Sequence, residues 1–310
     1  MKKYNIITPE GTRDLLFNEC TVRREIETKL MELFKNRGYS EVITPFLEFY
    51  DTFDSYFPQE SMYKLTDSKG RLMVIRPDST LPIIRLAETR LKDEPRPLKL
   101  CYNQTIYRAN PKEAGRDDEI AQCGIERIAS ENWESEDNEI LKLAIEALEL
   151  IAGENYRLEI GNYSFLKCLF KENEIDDKMS EEICKLIEQK NYSALSVMKI
   201  PDIFVQLPKL FGGGEVFERA EKLFETDSLK GSLKALKEIY YEMRRNVKGD
   251  RITVDLSLTD KQGYYTGVIF NGYAAGYGKP VLSGGMYNVR NTLAHGFAIN
   301  VSAVANLRGK

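Results

Sequence analysis

The chain has 310 residues, of which 42% are apolar and 30% charged, and its formal net charge is −4. This length suffices for one large core, or for a core domain with a smaller insertion. No apolar run reaches the roughly 18 residues that cross a bilayer, and the N-terminus lacks a signal-peptide stretch, so we expect a cytoplasmic protein with no membrane contact. An acidic balance without a basic run weighs against tRNA as a main partner.

Cysteine and histidine usage weighs against several kinds of site. The five cysteines are odd in number, widely spaced and without a C-x-x-C pair, which favours reduced thiols over a disulfide framework or a zinc site. His295 is the only histidine, so it cannot build a multi-histidine metal centre, and no G-x-S-x-G elbow accompanies it. We expect a structural His295 at the start of a strand, and neither a metal nor a cofactor.

The first third of the chain predicts helices and short strands. Apolar residues at three-to-four spacing predict a helix over 15–37, with Gly38 as its C-terminal cap. Short apolar runs predict strands over 41–44 and 72–75. The second strand leads into a turn with helix-start residues, and we expect a helix from there through Leu91.

A long antiparallel hairpin is predicted next. Strand-forming residues fill 98–107 and 119–128, and the charged segment 110–118 between them indicates a flexible loop. A broad apolar face predicts a helix over 136–152, and alternation predicts a strand over 156–160.

The character of the chain changes between residues 164 and 248, where helical patterns such as 181–189 and 229–244 dominate. We interpret this block as a helical insertion within one domain that covers residues 1–310. Strand patterns then return at 252–256, 264–270 and 296–299. A sheet core interrupted by a helical block indicates an α+β fold.

Asp78 and Thr80 form the first candidate site. In an extended chain, residues two apart point the same way, and a carboxylate beside a hydroxyl suits an ammonium group. The other interpretation is a helix N-cap, which the local sequence favours because Asp, Ser and Thr are preferred caps.

Gln122, Gly124 and Glu126 form the second candidate site. They alternate on one face of a predicted strand, and Gly124 leaves room between two polar side chains. A neutral imidazole has one donor and one acceptor nitrogen, and an amide together with a carboxylate can form hydrogen bonds with both nitrogens. The alternative, favoured by the local sequence alone, is the wet face of an antiparallel sheet.

Tyr264 and Tyr265 form the third candidate site. Paired tyrosines among glycines can wall a small-molecule pocket, although strand aromatics with hairpin glycines explain this segment equally well. The three glycines at 212–214 lack the Lys-Ser/Thr that completes a P-loop, and we interpret them as a flexible hinge.

The order and spacing of these segments together resemble the class II catalytic domain of histidyl-tRNA synthetase along nearly the whole chain. Residues 8–14 resemble that family's opening, and 38–48 resemble the first class II motif, which builds the dimer interface. Residues 107–122 are similar to the second motif with its loop. The runs 264–267 and 283–287 resemble the histidine-binding signature and the Gly-Gly-Arg-Tyr segment. The resemblance implies an antiparallel sheet flanked by helices.

The resemblance also implies a histidine pocket of seven residues. Its members are Asp78, Thr80, Arg108, Gln122, Glu126, Tyr264 and Tyr265. Asp78 and Thr80 would hold the α-amino group, and Gln122 would lie near the amino acid. Glu126 would face the imidazole, and the two tyrosines would line the side chain. Asp78 replaces a glutamate of the family, which shortens its reach by one methylene.

The departures from the family pattern fall on the chemistry of amino-acid activation, which needs positive charge at the α-phosphate. Arg108 keeps one cationic position, but Asp260 and Ala303 stand where the family has arginines, and Asn110 replaces a glutamate. Losing one such donor costs about 10²–10³ in rate, so we expect no catalytic residue and no synthetase activity. The end at Lys310 also leaves no room for the family's anticodon-binding domain.

One branch of the family fits these losses, namely the regulatory subunit of short-form ATP phosphoribosyltransferase. That resemblance implies a hetero-octamer with the catalytic subunit, a class II-type interface for self-association, and L-histidine as the ligand in feedback regulation of histidine biosynthesis. Two other functions stay open. One is a histidyl-tRNA synthetase fragment or histidine-activating paralogue, and the other is a free-standing histidine-binding module.

Overall fold

The computed structural model describes residues 4–109, 117–129, 133–224, 226–259 and 263–308. Its α-helices are α1 Asn18–Asn36, α2 Thr80–Glu88, α3 Trp133–Ala152, α4 Tyr163–Glu172, α5 Asp177–Glu188, α6 Tyr192–Val197, α7 Asp202–Gln206, α8 Glu215–Glu221, α9 Asp227–Asn246 and α10 Val301–Arg308. Its strands are β1 Ser40–Glu41, β2 Leu47–Phe49, β3 Lys64–Thr66, β4 Leu72–Ile75, β5 Leu98–Tyr107, β6 Glu119–Ile128, β7 Tyr156–Asn162, β8 Phe211–Gly212, β9 Ile252–Asp255, β10 Tyr265–Ala274, β11 Leu282–Val289 and β12 Thr292–Asn300.

Two sheets organise these strands. Over the described residues, the larger sheet has nine strands in the order β1-β5-β6-β12-β11-β10-β7-β9-β8, and the smaller has the order β2-β4-β3. The pairs β1–β5 and β7–β9 are parallel, and the other pairs are antiparallel. The predicted hairpin of β5 and β6 pairs in unbroken register from Leu98↔Ile128 to Tyr107↔Glu119. The predicted α+β fold, with a mostly antiparallel sheet flanked by helices, is confirmed.

The larger sheet separates two apolar cores. On one face, Cys123 and Ile125 of β6 pack with α1, α3 and α10 in the larger core. On the other face, Leu100 and Tyr102 of β5 pack with Leu81 of α2 in a smaller core. Because side chains alternate along a strand, Gln122, Gly124 and Glu126 of β6 all point to the α2 face.

Helix α1 shows how local signals set an element's limits. Its buried residues Ile26, Leu30 and Phe34 recur at a spacing of four and face the sheet. Gly38 lies in the left-handed region at φ 82°, which ends the helix as predicted. The predicted start at residue 15 is wrong, because Phe17 has φ 45° and breaks the helical path before Asn18.

Several predicted boundaries also needed correction. The strand predicted over 41–44 is confined to Ser40–Glu41, and the chain then leaves the larger sheet to form β2, which the sequence did not predict. Helix α2 ends at Glu88 and not at Leu91. Residues 110–116 of the predicted loop lie outside the described residues.

The stretch from α4 to α9 is chiefly helical, and its one strand corrects a prediction. Gly212 belongs to β8, where it pairs with Val254 of β9 at the edge of the larger sheet. The backbone N–H of Gly213 donates to the Glu215 carboxylate at 2.8 Å. The predicted hinge is therefore wrong at Gly212, which lies in a paired strand, while Gly213 contacts the start of α8.

Candidate functional site

The first turn of α2 places Asp78 and Thr80. The Oδ1 atom of Asp78 accepts the backbone N–H groups of Thr80 at 2.8 Å and Leu81 at 3.2 Å. Asp78 thus caps the helix, as the favoured interpretation predicted, and the extended geometry of the other interpretation is wrong. Burial raises the pKa of Asp78, while Arg108 and the backbone amide groups act in the opposite direction.

The Glu126 carboxylate lies at the centre of the site. Its Oε1 accepts the hydroxyl of Thr80 at 2.8 Å, and its Oε2 accepts the phenol of Tyr287. The side chain is buried, and burial raises its pKa to about 8 despite these two donors, with a smaller contribution from the charge of Asp78.

Glycines of the neighbouring strands make room for this carboxylate and for Tyr102. A Cβ atom at Gly296 of β12 would lie 2.3 Å from the Glu126 Oε2 atom. A Cβ atom at Gly124 would lie 2.5 Å from the Tyr102 ring and 2.6 Å from the carbonyl of Phe297. The Tyr102 ring therefore crosses β6 at Gly124, and this explains why a glycine separates Gln122 and Glu126.

Three tyrosines form one wall of the site. The ring centroid of Tyr264 lies 5.1 Å from that of Tyr265 and 5.4 Å from that of Tyr287. Tyr264 and Tyr287 are buried, and Tyr265 is half-buried. Burial and the nearby charge of Asp78 raise the pKa of Tyr264, so its phenol stays neutral.

Arg108 and Gln122 complete the polar lining. The Nε atom of Arg108 donates to the carbonyl of Pro77 at 2.7 Å, and its Nη2 lies 3.4 Å from Asp78 Oδ2. Gln122 points to the same face as Glu126, and its buried Oε1 atom has no hydrogen-bond partner among the described residues. A buried amide oxygen without a donor is costly unless a ligand or water supplies one.

The structure brings Asp78, Thr80, Arg108, Glu126 and Tyr264 into one cluster on the α2 face, linked by hydrogen bonds, an ion pair and the contact of Tyr264 with Tyr287. Gln122 and Tyr265 lie at its margins. Sequence reasoning missed two buried members, which are Tyr102 and Tyr287. Tyr287 lies two residues after Gly285 on β11, so both residues point to the same face of the sheet. This alternation, next to two glycines that leave space, was the signal that could have identified Tyr287.

His295 lies outside this site. It is the fourth residue of β12 and points to the opposite face, so the predicted position at a strand start is wrong. The side chain is fully buried, and its Nδ1 lies 2.7 Å from Oδ1 of Asp137. Its complete burial fits the structural role that the sequence predicted.

The structure describes one of the three positions at which the sequence departs from the family's activation residues. Ala303 is buried in the first turn of α10, where its backbone N–H donates to Asn300 Oδ1 at 2.9 Å. Asp260 and Asn110 lie outside the described residues. Over the described ranges, no group of three His, Cys, Asp or Glu side chains is arranged to hold a metal ion, and no helix is long and apolar enough to cross a membrane.

Comparisons with known proteins agree with this geometry. A model of the histidyl-tRNA synthetase family matches residues 11–304. A structure from Bacillus halodurans, described as an ATP phosphoribosyltransferase regulatory subunit/histidyl-tRNA synthetase, superposes with a TM-score of 0.87 at 28% identity and covers 98% of this chain and 84% of that one. Fold and site thus define a class II protein of the histidyl-tRNA synthetase type.

Curated relatives narrow this class. The ATP phosphoribosyltransferase regulatory subunit of Clostridium acetobutylicum is 38% identical, over 97% of this chain and 78% of the relative. The protein of the same name from Bacillus cereus is also 38% identical, over 98% of this chain and 76% of the relative. The chain belongs to the family of ATP phosphoribosyltransferase regulatory subunits, a branch of the histidyl-tRNA synthetase-like proteins.

Proposed function

We propose that this chain is a non-catalytic regulatory subunit that a catalytic ATP phosphoribosyltransferase subunit needs for the first step of histidine biosynthesis, and that it senses histidine. The observation that carries the proposal is the buried carboxyl of Glu126, held by Thr80 and Tyr287, on a strand face where the buried Oε1 atom of Gln122 also lacks a donor among the described residues. A buried carboxyl group with a raised pKa is more typical of a ligand-binding site than of a packed core.

Free histidine matches the groups in this pocket. The imidazole offers an N–H to Glu126 and a flat surface to Tyr264 and Tyr265. The Asp78 carboxylate suits the ammonium group, and the Arg108 guanidinium suits the carboxylate of the ligand. The raised pKa of Glu126 reflects the cost of burying its charge, and a ligand that brings positive charge would offset that cost.

Amino-acid activation is the chemistry we expect this chain to lack. Adenylate formation develops negative charge on the α-phosphate, and preorganised cations supply much of its stabilisation. Ala303 contributes no cation at the first turn of α10, and the sequence has Asp260 where the family has an arginine. Histidine would then bind without being activated, which suits a sensor.

Self-association and assembly form a second part of the proposal. Ile43 and Phe46, together with Leu47 and Phe49 on one face of the small sheet, present apolar side chains to solvent. Patches of this kind on a soluble protein mark interaction sites, and these residues adjoin the segment that resembles the first class II motif. We infer that the chain forms a dimer through this surface, and that the dimer is part of a cytoplasmic hetero-octamer. We also infer that the chain is a single domain with a helical insertion over 164–248.

A reconstitution experiment tests the function. The chain is mixed with the short-form catalytic subunit of the same organism, and phosphoribosyl-ATP formation is followed with and without histidine. We expect the chain to raise activity and to make it sensitive to histidine. Unchanged activity together with unchanged inhibition would contradict the proposal.

Histidine-dependent pyrophosphate exchange distinguishes the enzyme alternative. A histidyl-tRNA synthetase fragment or a histidine-activating paralogue would exchange labelled pyrophosphate into ATP when histidine is present. We expect no exchange above the background of a Glu126→Gln variant. Exchange at an enzymatic rate would show that the missing cations at 260 and 303 are dispensable.

A further inference from the structure

A cavity of about 490 Å³ opens between the N-terminal segment, the start of α1, the start of β6 and α10. Helices α1 and α10 pack on the core that contains Cys123 and Ile125, on the face of the larger sheet opposite to Glu126. The residues that line the cavity include none of the seven candidate histidine-binding residues. The histidine proposal therefore leaves this cavity unexplained.

The charges of the cavity lining are unequal. Arg13 is bound by Glu19 and by Asn306, each at 2.6 Å. Arg23 donates to Glu27 at 2.8 Å, so both guanidinium groups in the lining already have an anionic partner. Among the described residues, Asp117 and Glu119 are two further carboxylates in the lining, which thus has three carboxylates and two guanidinium groups.

The rim of the cavity is apolar and exposed. Leu15 and Glu19 line the cavity, and between them Leu16 is 57% and Phe17 88% exposed. Phe17 has φ 45°, a region that non-glycine residues adopt only at a cost in backbone energy. A large aromatic side chain held in solvent by a strained backbone is typical of a contact residue and not of a packing residue.

We propose that this cavity and its rim of Leu16 and Phe17, together the N-terminal cleft, dock the catalytic subunit. The inference rests on the proposed function, which requires such a partner. Charge complementarity identifies the group that enters: a lysine or arginine side chain of the catalytic subunit fills the acidic cavity, and apolar residues beside it cover Phe17. Leu47 and Phe49, which carry the proposed self-association surface, do not line this cavity.

Paired variants of exposed apolar residues test the rim. Phe17→Glu is compared with Val197→Glu, because Val197 is 81% exposed at the end of α6 and far from the cavity in sequence. The dissociation constant for the catalytic subunit is measured by titration calorimetry. We expect Phe17→Glu to weaken binding about tenfold or more and Val197→Glu to leave it nearly unchanged.

A second pair of variants tests the charge. Asp117→Asn is compared with Asp93→Asn, an exposed acid in the loop after α2. We expect only Asp117→Asn to weaken binding, by about threefold to tenfold at low salt and by less at high salt, because salt screens the attraction. Matching thermal unfolding curves for all four variants would confirm that the fold is retained.

The outcomes separate this inference from the function on which it rests. If the unaltered chain binds and activates the catalytic subunit while Phe17→Glu and Asp117→Asn bind equally well, the docking site is wrong and the function stands. If the unaltered chain does not bind the catalytic subunit, the proposed function fails and the inference with it. If Phe17→Glu instead abolishes self-association, the cleft is a contact between copies of this chain and the inference is overturned.

Discussion

The carboxyl group of Glu126 is buried, and burial opposes its ionisation. Its pKa is raised from 4.5 to about 8, so the folded protein holds this proton over a pH range in which the unfolded chain has lost it. Stability from this group is fully present below about pH 4.5 and is lost as the pH rises through about 8. The contribution of Glu126 to the free energy of unfolding therefore decreases as the pH rises.

The Glu126→Gln variant tests that linkage. A neutral amide fits the same space and has no proton to lose, so we expect the variant to lose less unfolding free energy than the unaltered chain between about pH 5 and pH 8. Denaturant unfolding at the two pH values measures the difference. Glu25→Gln, on the exposed side of α1, is the control and should follow the unaltered chain. Parallel pH profiles for Glu126→Gln and the control would contradict the raised pKa.

Two substitutions of Asp78 distinguish its role as a helix cap from its role as a negative charge. Asn retains an oxygen that accepts the N–H groups of Thr80 and Leu81, whereas Ala does not. We expect Asp78→Ala to be less stable than Asp78→Asn by about 1 kcal/mol in chemical unfolding. Both variants should lose histidine affinity, because both remove the carboxylate. Equal stability of the two variants would mean that the cap contributes little.

The residues that the sequence did and did not predict differ in one respect. Asp78, Thr80 and Glu126 occur in segments whose local pattern is unusual for a packed core. Tyr102 and Tyr287 look like ordinary strand aromatics, and only the register of β5, β6, β12 and β11 places them beside Glu126. Register depends on contacts between distant segments, which a local pattern does not contain.

Among the strands, β6 contacts the candidate site closely at Gly124, where the Tyr102 ring crosses it. We expect Gly124→Ala to destabilise the protein by about 1–3 kcal/mol and to weaken histidine binding, because its Cβ would displace the Tyr102 ring or the β12 backbone. Gly231→Ala in α9 is the matched control. Nothing lies within 4 Å of its added Cβ, so it should stabilise the helix by about 0.5–1 kcal/mol.

Chemical unfolding of both glycine variants, followed by calorimetry with histidine, measures these effects. The two substitutions add the same methyl group, so a difference in sign reports on the surroundings alone. A stable Gly124→Ala variant with unchanged affinity would show that Tyr102 can move without cost, and the close crossing of Tyr102 over β6 would then have no role.

Element limits were predicted where the chain itself supplies a stop signal. Strands β5 and β6 and the end of α1 at Gly38 match the prediction because alternation and a left-handed glycine are local features. Strands β2 and β8 were missed because each has three residues or fewer and forms only against a partner strand. The sequence of such a short strand is too brief to show an alternating pattern, so the strand cannot be predicted without its partner.

At the scale of the whole molecule, the order of strands in the larger sheet was not predictable from patterning. Strand β1 pairs in parallel with β5, and β12 inserts between β6 and β11. The α+β class followed from alternating strand and helix patterns, whereas the class II arrangement came from the resemblance of several motifs together. The interpretation of 164–248 as an insertion stays a prediction.

Self-association is the property of the whole molecule that the small sheet governs. We expect Phe49→Glu, which places a charge in the exposed apolar surface, to convert a dimer into a monomer at micromolar concentration. Light scattering coupled to size-exclusion chromatography measures the mass, and Val197→Glu is the control. An unaltered mass for Phe49→Glu would place the dimer contact elsewhere.

We propose that histidine acts through the Glu126 pocket to regulate a partner enzyme. The most direct measurement is phosphoribosyl-ATP formation by the reconstituted complex over a series of histidine concentrations, with the unaltered chain or with Glu126→Gln. We predict that histidine inhibits the unaltered complex, and that the variant complex is equally active but needs at least about tenfold more histidine for the same inhibition. Identical inhibition curves for the two complexes would contradict this role of the pocket.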